Sequence, residues 1–147
     1  MEKAIEKKYP RVGVGVLIMN GDGEVLLGLR QGSHGAGEWS FPGGHLEFGE
    51  TVKDTAVREA KEECNLDISD LELISIADEM RYLQSDGKHY LNVGFLAKSN
   101  SGEVKLNEPD KWVEWHWFSL NDLPAPLFEG TELVIRNYLS KKIYQAE

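Results

Sequence analysis

Apolar and polar residues alternate over several short runs of this 147-residue chain, and the alternation predicts β-strands. Glycine and β-branched residues alternate over residues 11–19. The turn Asn20-Gly21-Asp22-Gly23 then leads into a second apolar run, Val25-Leu26-Leu27, so a hairpin is expected. Further extended segments are expected over residues 39–42, 71–78, 90–98 and 112–118, with a glycine-rich loop over 31–38 and a turn near Ser85-Asp86-Gly87.

Two other segments repeat apolar residues at helical spacing. Val52, Ala56 and Ala60 recur four apart and predict a helix over residues 52–64. Thr51 is placed to cap its start, with Asp54 three residues on, and Asn65 is suited to end it because asparagine tolerates the left-handed conformation. A second helix is expected over residues 131–143. Strands surrounding two helices predict a chain of the α/β (α+β) class with a mixed sheet covered on both faces.

The first helix carries an unusual group of acidic residues. Glu59, Glu62 and Glu63 stand at i, i+3 and i+4, so their side chains are expected to share one patch. Like charges at this spacing cost roughly 0.2–0.5 kcal/mol a pair, and acids in the last turn oppose the helix dipole. A bound cation would offset both costs, and carboxylate ligands favour Mg²⁺ or Mn²⁺ over zinc. The alternative is a solvated acidic face.

Composition and charge limit the partners. The net charge of −9 argues against binding long nucleic acid, but it allows a small polyphosphate that brings metal ions. No apolar run approaches a membrane span in length, and the lone Cys64 fits a reducing compartment, so a cytoplasmic protein without membrane contact is expected. The length predicts a single domain over residues 1–147. The histidines, His34, His45, His89 and His116, show no ligand spacing.

The spacing of the acidic residues resembles the signature of the Nudix hydrolase superfamily, Gly-x5-Glu-x7-Arg-Glu-U-x-Glu-Glu-x-Gly-U, where U is a bulky apolar residue. The matching positions are Gly44, Glu50, Arg58, Glu59, Glu62, Glu63 and Leu66. Ala60 stands at the first U and Asn65 replaces the second glycine; neither departure touches a carboxylate. The resemblance implies an α/β/α sandwich around a mixed sheet, with the signature forming a loop–helix–loop.

The resemblance also implies roles around a divalent ion. In the family, the carbonyl at the position of Gly44 and the carboxylates at the positions of Glu59, Glu62 and Glu63 hold the metal. Glu50 and Arg58 are expected to form an ion pair that orients those carboxylates. Family members differ in the residue that accepts the proton of the attacking water, and the candidates here are Glu59 and Glu108.

Segments outside the signature, between residues 11 and 128, are similar to the MutT-like nucleoside-triphosphate diphosphatases, a branch that includes the thiopurine-nucleotide-clearing and plant cytosolic Nudix enzymes. This similarity implies substrate contacts at Gly43 and Gly44, and a base held near Leu127 and Phe128. The expected reaction is Mg²⁺-dependent cleavage of a purine or oxidised nucleoside triphosphate to monophosphate and pyrophosphate. The alternatives are hydrolysis of ADP-ribose, nucleotide sugars or dinucleoside polyphosphates, and a non-catalytic nucleotide-sensing module. By analogy with the branch, a homodimer is expected.

Overall fold

A computed structural model describes residues 8–32 and 34–146, without the side chains of residues 100 and 101. Within these residues the elements follow the order β1 (Arg11–Met19), β2 (Glu24–Arg30), β3 (Trp39–Ser40), β4 (Gly43–His45), α1 (Val52–Cys64), β5 (Asp67–Glu79), α2 (Leu83–Asp86), β6 (Tyr90–Ser101), β7 (Trp112–Ser119) and α3 (Glu129–Ser140).

The strands form one mixed sheet built around β1. Strand β1 pairs in parallel with β6 along its whole length, and β6 pairs antiparallel with β5. On its other edge, β1 pairs antiparallel with β4 at Gly13–Gly15 and with β2 at Met19. Strand β2 then pairs with β3 and β7. Strand β1 therefore pairs directly with β2, β4 and β6, and the other three strands join the sheet through β2 and β6.

Side chains alternate between the two faces of β1 and reach two separate cores. Val14, Val16 and Ile18 pack on one face with Ala56 and Ala60 of α1. Leu17 points to the other face, where the core includes Val134 and Ile135 of α3. One helix covers each face, so the expected α/β/α sandwich around a mixed sheet is confirmed.

Helix α1 begins and ends where the sequence predicts. The Thr51 hydroxyl oxygen accepts a hydrogen bond from the backbone N–H of Asp54 at 3.1 Å, which satisfies one of the free N–H groups of the first turn. At the other end, Asn65 adopts the left-handed conformation at φ 65°. These two caps set the first and last residues of α1.

Three predicted boundaries are wrong. The segment near Ser85-Asp86-Gly87 is no simple turn, since Leu83–Asp86 forms α2, which ends at Gly87 (φ 64°). Helix α3 starts at Glu129 and stops at Ser140 instead of residue 143, because Lys141 takes a left-handed φ of 57°. The glycines after Pro42 form strand β4, where a Cβ on Gly43 would lie 2.1 Å from the Val14 carbonyl oxygen. Only glycine allows this pairing.

Strand β1 has the predicted bounds, strand β3 ends two residues before the predicted end, and the strands β2, β5, β6 and β7 are longer than predicted. The largest extension is in β5, which starts at Asp67 and follows α1 with two residues between them. No helix in the described part of the chain is long and apolar enough to cross a membrane.

Candidate active site

Helix α1 distributes its three glutamates from its buried side to its surface. Glu63 is 4% exposed, whereas the side chain of Glu62 is 52% exposed. Glu59 lies between them, because it neighbours Glu63 on one side and shares an Arg58 nitrogen with Glu62 on the other. Within residues 8–32 and 34–146, no group of three His, Cys, Asp or Glu side chains is arranged so that it could coordinate a metal ion by itself.

Arg58 provides the positive charge on the outer side of this patch. Its guanidinium donates to both Glu50 oxygens at 2.8 and 2.9 Å, to Glu59 at 2.7 Å and to Glu62 at 3.3 Å. The bonds from Arg58, followed by one from the Thr55 hydroxyl, lower the pKa of Glu50 to about 2. Glu50 therefore remains ionised near neutral pH, and the pair fixes α1 to the loop before it, as expected for an orienting ion pair.

Strand β4 approaches the inner two glutamates so closely that side chains are excluded. A Cβ on Gly44 would lie 2.4 Å from Oε1 of Glu59. The neighbouring Gly43 donates its backbone N–H to Glu63. The backbone of both glycines therefore lies directly against the carboxylates.

Glu63 is in an environment that opposes its negative charge. Burial raises the pKa of Glu63 well above its ordinary value, and its contact with Glu59 and the nearby charge of Glu108 raise it further. The Oε2 atom of Glu63 has no hydrogen-bond partner among the described residues. Glu108 lies in the loop before β7, where it pairs with Lys111 at 3.5 Å. The tertiary structure thus brings Glu108 within electrostatic reach of Glu63.

These features fit a divalent ion. A buried carboxylate oxygen without a partner is costly, and a cation near it would remove that cost together with the repulsion from Glu59. The donors that face one another are all hard oxygens, as Mg²⁺ and Mn²⁺ prefer. Glu59, Glu63 and the Gly44 carbonyl would hold the ion, with Glu62 at the solvent edge.

A cleft of about 130 Å³ opens beside Gly43 and Gly44, on the sheet face that α3 covers. Its floor is formed by Gly13 and Gly15 of β1, and a Cβ on Gly15 would meet nothing within 4 Å among the described residues. The sequence carries a signal for this cleft. In the run of alternating valine and glycine at residues 12–16, the valines face α1 and the glycines leave a gap on the opposite face.

Three of the polar residues that line the cleft, Arg30, Glu79 and Asn92, are not indicated by any motif. The Arg30 guanidinium stands 4.3 Å from the centre of the Phe128 ring and donates to the Ser40 hydroxyl at 3.3 Å. Burial lowers the pKa of Arg30, while the charges of Glu63 and Glu79 raise it, so its guanidinium lies within electrostatic reach of both carboxylates. Arg30 therefore lines the cleft and lies within electrostatic reach of the acidic patch on α1.

The two residues expected near the base have different surroundings. Phe128 lines the cleft, with its ring edge-to-face against His34. Leu127 packs against the α3-side core and bridges to Trp39, and it is not among the described residues that line the cleft. His34 and His45, which received no role from the sequence, also line the cleft.

Comparisons with known proteins identify the family. The NUDIX domain model matches residues 9–138. The chain is 32% identical over 137 residues to the ADP-ribose pyrophosphatase of Methanocaldococcus jannaschii, covering 91% of this chain and 76% of that protein. It is 28% identical over 144 residues to the NAD-capped RNA hydrolase NudC of Stutzerimonas stutzeri, covering 95% of this chain and 49% of that protein. The chain thus spans about half the length of this curated relative.

A solved structure agrees with the family match. The MutT NUDIX hydrolase from Burkholderia pseudomallei superimposes with a TM-score of 0.83 at 34% identity, over 88% of this chain and 98% of that chain. Nudix hydrolases generally use divalent ions such as Mg²⁺ and act on small nucleotide substrates. With its glutamates at the signature spacing, its sandwich fold and a family match over most of its length, this chain belongs to the Nudix hydrolase family.

Proposed function

We propose that this protein is a divalent-metal-dependent pyrophosphohydrolase whose substrate joins a nucleoside diphosphate to a second group, as ADP-ribose does. The observation that carries the reaction class is the buried Glu63 carboxylate, whose Oε2 has no hydrogen-bond partner among the described residues and which lies against Glu59 and the Gly43–Gly44 backbone beside the cleft. The substrate class is supported by the relatives, of which one is named an ADP-ribose pyrophosphatase and another an NAD-capped RNA hydrolase.

A second candidate is cleavage of a nucleoside triphosphate to monophosphate and pyrophosphate. It is favoured by the 34% identity to a MutT NUDIX hydrolase structure that aligns over almost its entire length. The two candidates share one site and differ in their products. An ADP-ribose-type substrate yields two monophosphates, whereas a triphosphate yields pyrophosphate.

The chain's own residues supply binding and orientation. When bound, the metal ion offsets the negative charge of the diphosphate and activates a water molecule for attack on phosphorus. Arg58 holds Glu59 and fixes α1 through its two bonds to Glu50. Glu59 and Glu108 are the candidate acceptors of the water's proton. We favour Glu108, because Glu59 would hold the metal ion and accepts a bond from Arg58 at 2.7 Å, whereas Glu108 contacts Lys111 at the longer distance of 3.5 Å.

The test combines a Glu63→Gln variant with a substrate panel in which monophosphate and pyrophosphate are measured separately. Glu63→Gln keeps the side-chain size and removes the charge, so we expect at least a 100-fold loss of kcat/KM, about 2.7 kcal/mol. Without metal its melting temperature stays at or above that of the wild type, because burial opposes the charge that is removed.

Added Mg²⁺ should raise the melting temperature of the wild type and leave that of Glu63→Gln unchanged. Glu72→Gln is the matched control, because Glu72 is an exposed residue of β5, and it should behave as the wild type does in both assays. A Glu63→Gln variant that keeps most of its metal-dependent activity would overturn the assignment.

A further inference from the structure

The end of the cleft formed by β5, β6 and α3 holds a buried polar pair with no role in the chemistry described above. The Asn92 side-chain amide donates to Oε1 of Glu79 at 2.7 Å, and the two residues are 8% and 9% exposed. The β5–β6 register places them on the same face of the sheet, because Ala77 lies opposite Asn92 and Glu79 lies opposite Tyr90. We call them the Glu79–Asn92 pair.

The pair is not fully satisfied by the protein itself. Oδ1 of Asn92 has no hydrogen-bond partner among the residues that the structure describes. An unpaired buried acceptor costs roughly 1–3 kcal/mol, and an apolar pair of the same size would avoid that cost. Burial also raises the pKa of Glu79, an effect that the bond from Asn92 only partly opposes. An acceptor without a partner among the described residues, Oδ1 of Asn92, is therefore held in the cleft wall beside the Glu79 carboxyl.

The surrounding backbone is shaped to this pair. Gly130, at the start of α3, lies so close that a Cβ there would be 2.4 Å from Oε1 of Glu79 and 2.8 Å from the Asn92 amide nitrogen. Gly13 lies on the floor beneath, where a Cβ would be 3.9 Å from the same nitrogen. Both glycines line the cleft, as the pair does, so the pair forms part of the cleft wall.

The charge of the Glu79 carboxyl indicates which part of a bound nucleotide would lie beside the pair. A phosphate would be repelled by the Glu79 carboxyl, whereas the Gly44 end of the cleft adjoins the proposed metal ligands. The phosphates therefore belong near α1, and the other end of the nucleotide extends past Arg30 and Phe128 towards Glu79. The acceptors there complement N–H donors, which nucleobases present as amino groups.

We propose that the Glu79–Asn92 pair recognises an amino group on the substrate's nucleobase and selects amino-bearing purines over hypoxanthine. This inference rests on the proposed function for the position of the phosphates. Sites built to hydrogen-bond a ligand group discriminate against analogues that lack it, because the buried partners are then left unpaired. Arg30 and Phe128 provide the charged and aromatic surfaces along which the rest of the ligand lies.

The test measures binding without turnover, by calorimetry with AMP, GMP and IMP. AMP differs from IMP at the 6-amino group, and GMP differs from IMP at the 2-amino group. We expect the wild type to bind at least one amino-bearing nucleotide 10-fold more tightly than IMP. Glu79→Gln and Asn92→Leu should each reduce this ratio below about 3-fold while IMP affinity changes little, and Glu72→Gln should leave the ratio unchanged.

Equal binding of the three nucleotides by the wild type would overturn the inference. So would variants that weaken all three equally, since that result indicates a structural role. The two proposals fail separately. If discrimination is found but no substrate is hydrolysed, only the proposed function is lost; if hydrolysis depends on Glu63 but AMP, GMP and IMP bind alike, only this inference is lost.

Discussion

We expect that a substitution that fills the cleft will stabilise the protein and abolish its activity. Gly15 lies in the middle of β1, and a Cβ there would meet nothing within 4 Å among the described residues. Glycine in a strand costs roughly 0.5–1 kcal/mol relative to alanine, and β-branched residues favour strands. We expect Gly15→Val to raise the free energy of unfolding by about 0.5–1 kcal/mol, and the melting temperature by about 2–3 °C.

The three carbon atoms that valine adds at position 15 would project into the cleft of about 130 Å³. We expect nucleotide affinity and kcat/KM to fall at least 100-fold, equivalent to about 2.7 kcal/mol. The increase in melting temperature on adding Mg²⁺ should persist, because α1 packs on the opposite face of β1. The assays are urea unfolding, steady-state hydrolysis and melting with and without Mg²⁺.

Gly21→Val is the control, because Gly21 lies in the turn after β1 and also has open space at its Cβ position. It should leave hydrolysis unchanged. If Gly15→Val is folded and retains kcat/KM within 3-fold of the wild type, the nucleotide does not lie over β1, and the assignment of the cleft is wrong.

Three further changes test individual contacts. Gly44→Ala places a methyl group 2.4 Å from Oε1 of Glu59, so we expect the Mg²⁺-dependent rise in melting temperature to disappear while circular dichroism stays native. Arg58→Gln removes the main cause of the low pKa of Glu50, about 2. The stability from this pairing is present above pH 4.5 and is lost as the pH falls towards 2, so urea unfolding should show a shallower acid slope in the variant than in the wild type. Asn137→Ala removes a fully buried amide that bonds to β5 and to the chain after α3, and we expect a loss of about 1–3 kcal/mol in urea unfolding.

The features that could be predicted from the sequence are those that depend on residues close together along the chain. The limits of α1 follow from the Thr51 hydroxyl, the apolar spacing and the left-handed tolerance of Asn65, which all act within one helical turn. The alternation along β1 likewise predicts a sheet covered on two faces. The spacing of the glutamates and its resemblance to the Nudix signature led to the family.

The burial of the α1 glutamates and of the cleft residues, and the side chains that they contact, depend on the tertiary structure. Helical spacing predicts that Glu59, Glu62 and Glu63 share one patch, but the packing of α1 against β4 buries Glu63 and leaves Glu62 half exposed. The cleft joins Arg30, Glu79 and Asn92 from three strands, and no local pattern relates them. Their meeting depends on the parallel pairing of β1 with β6 and on the β5–β6 register, because burial and charge are set by whichever distant segments fold against a residue.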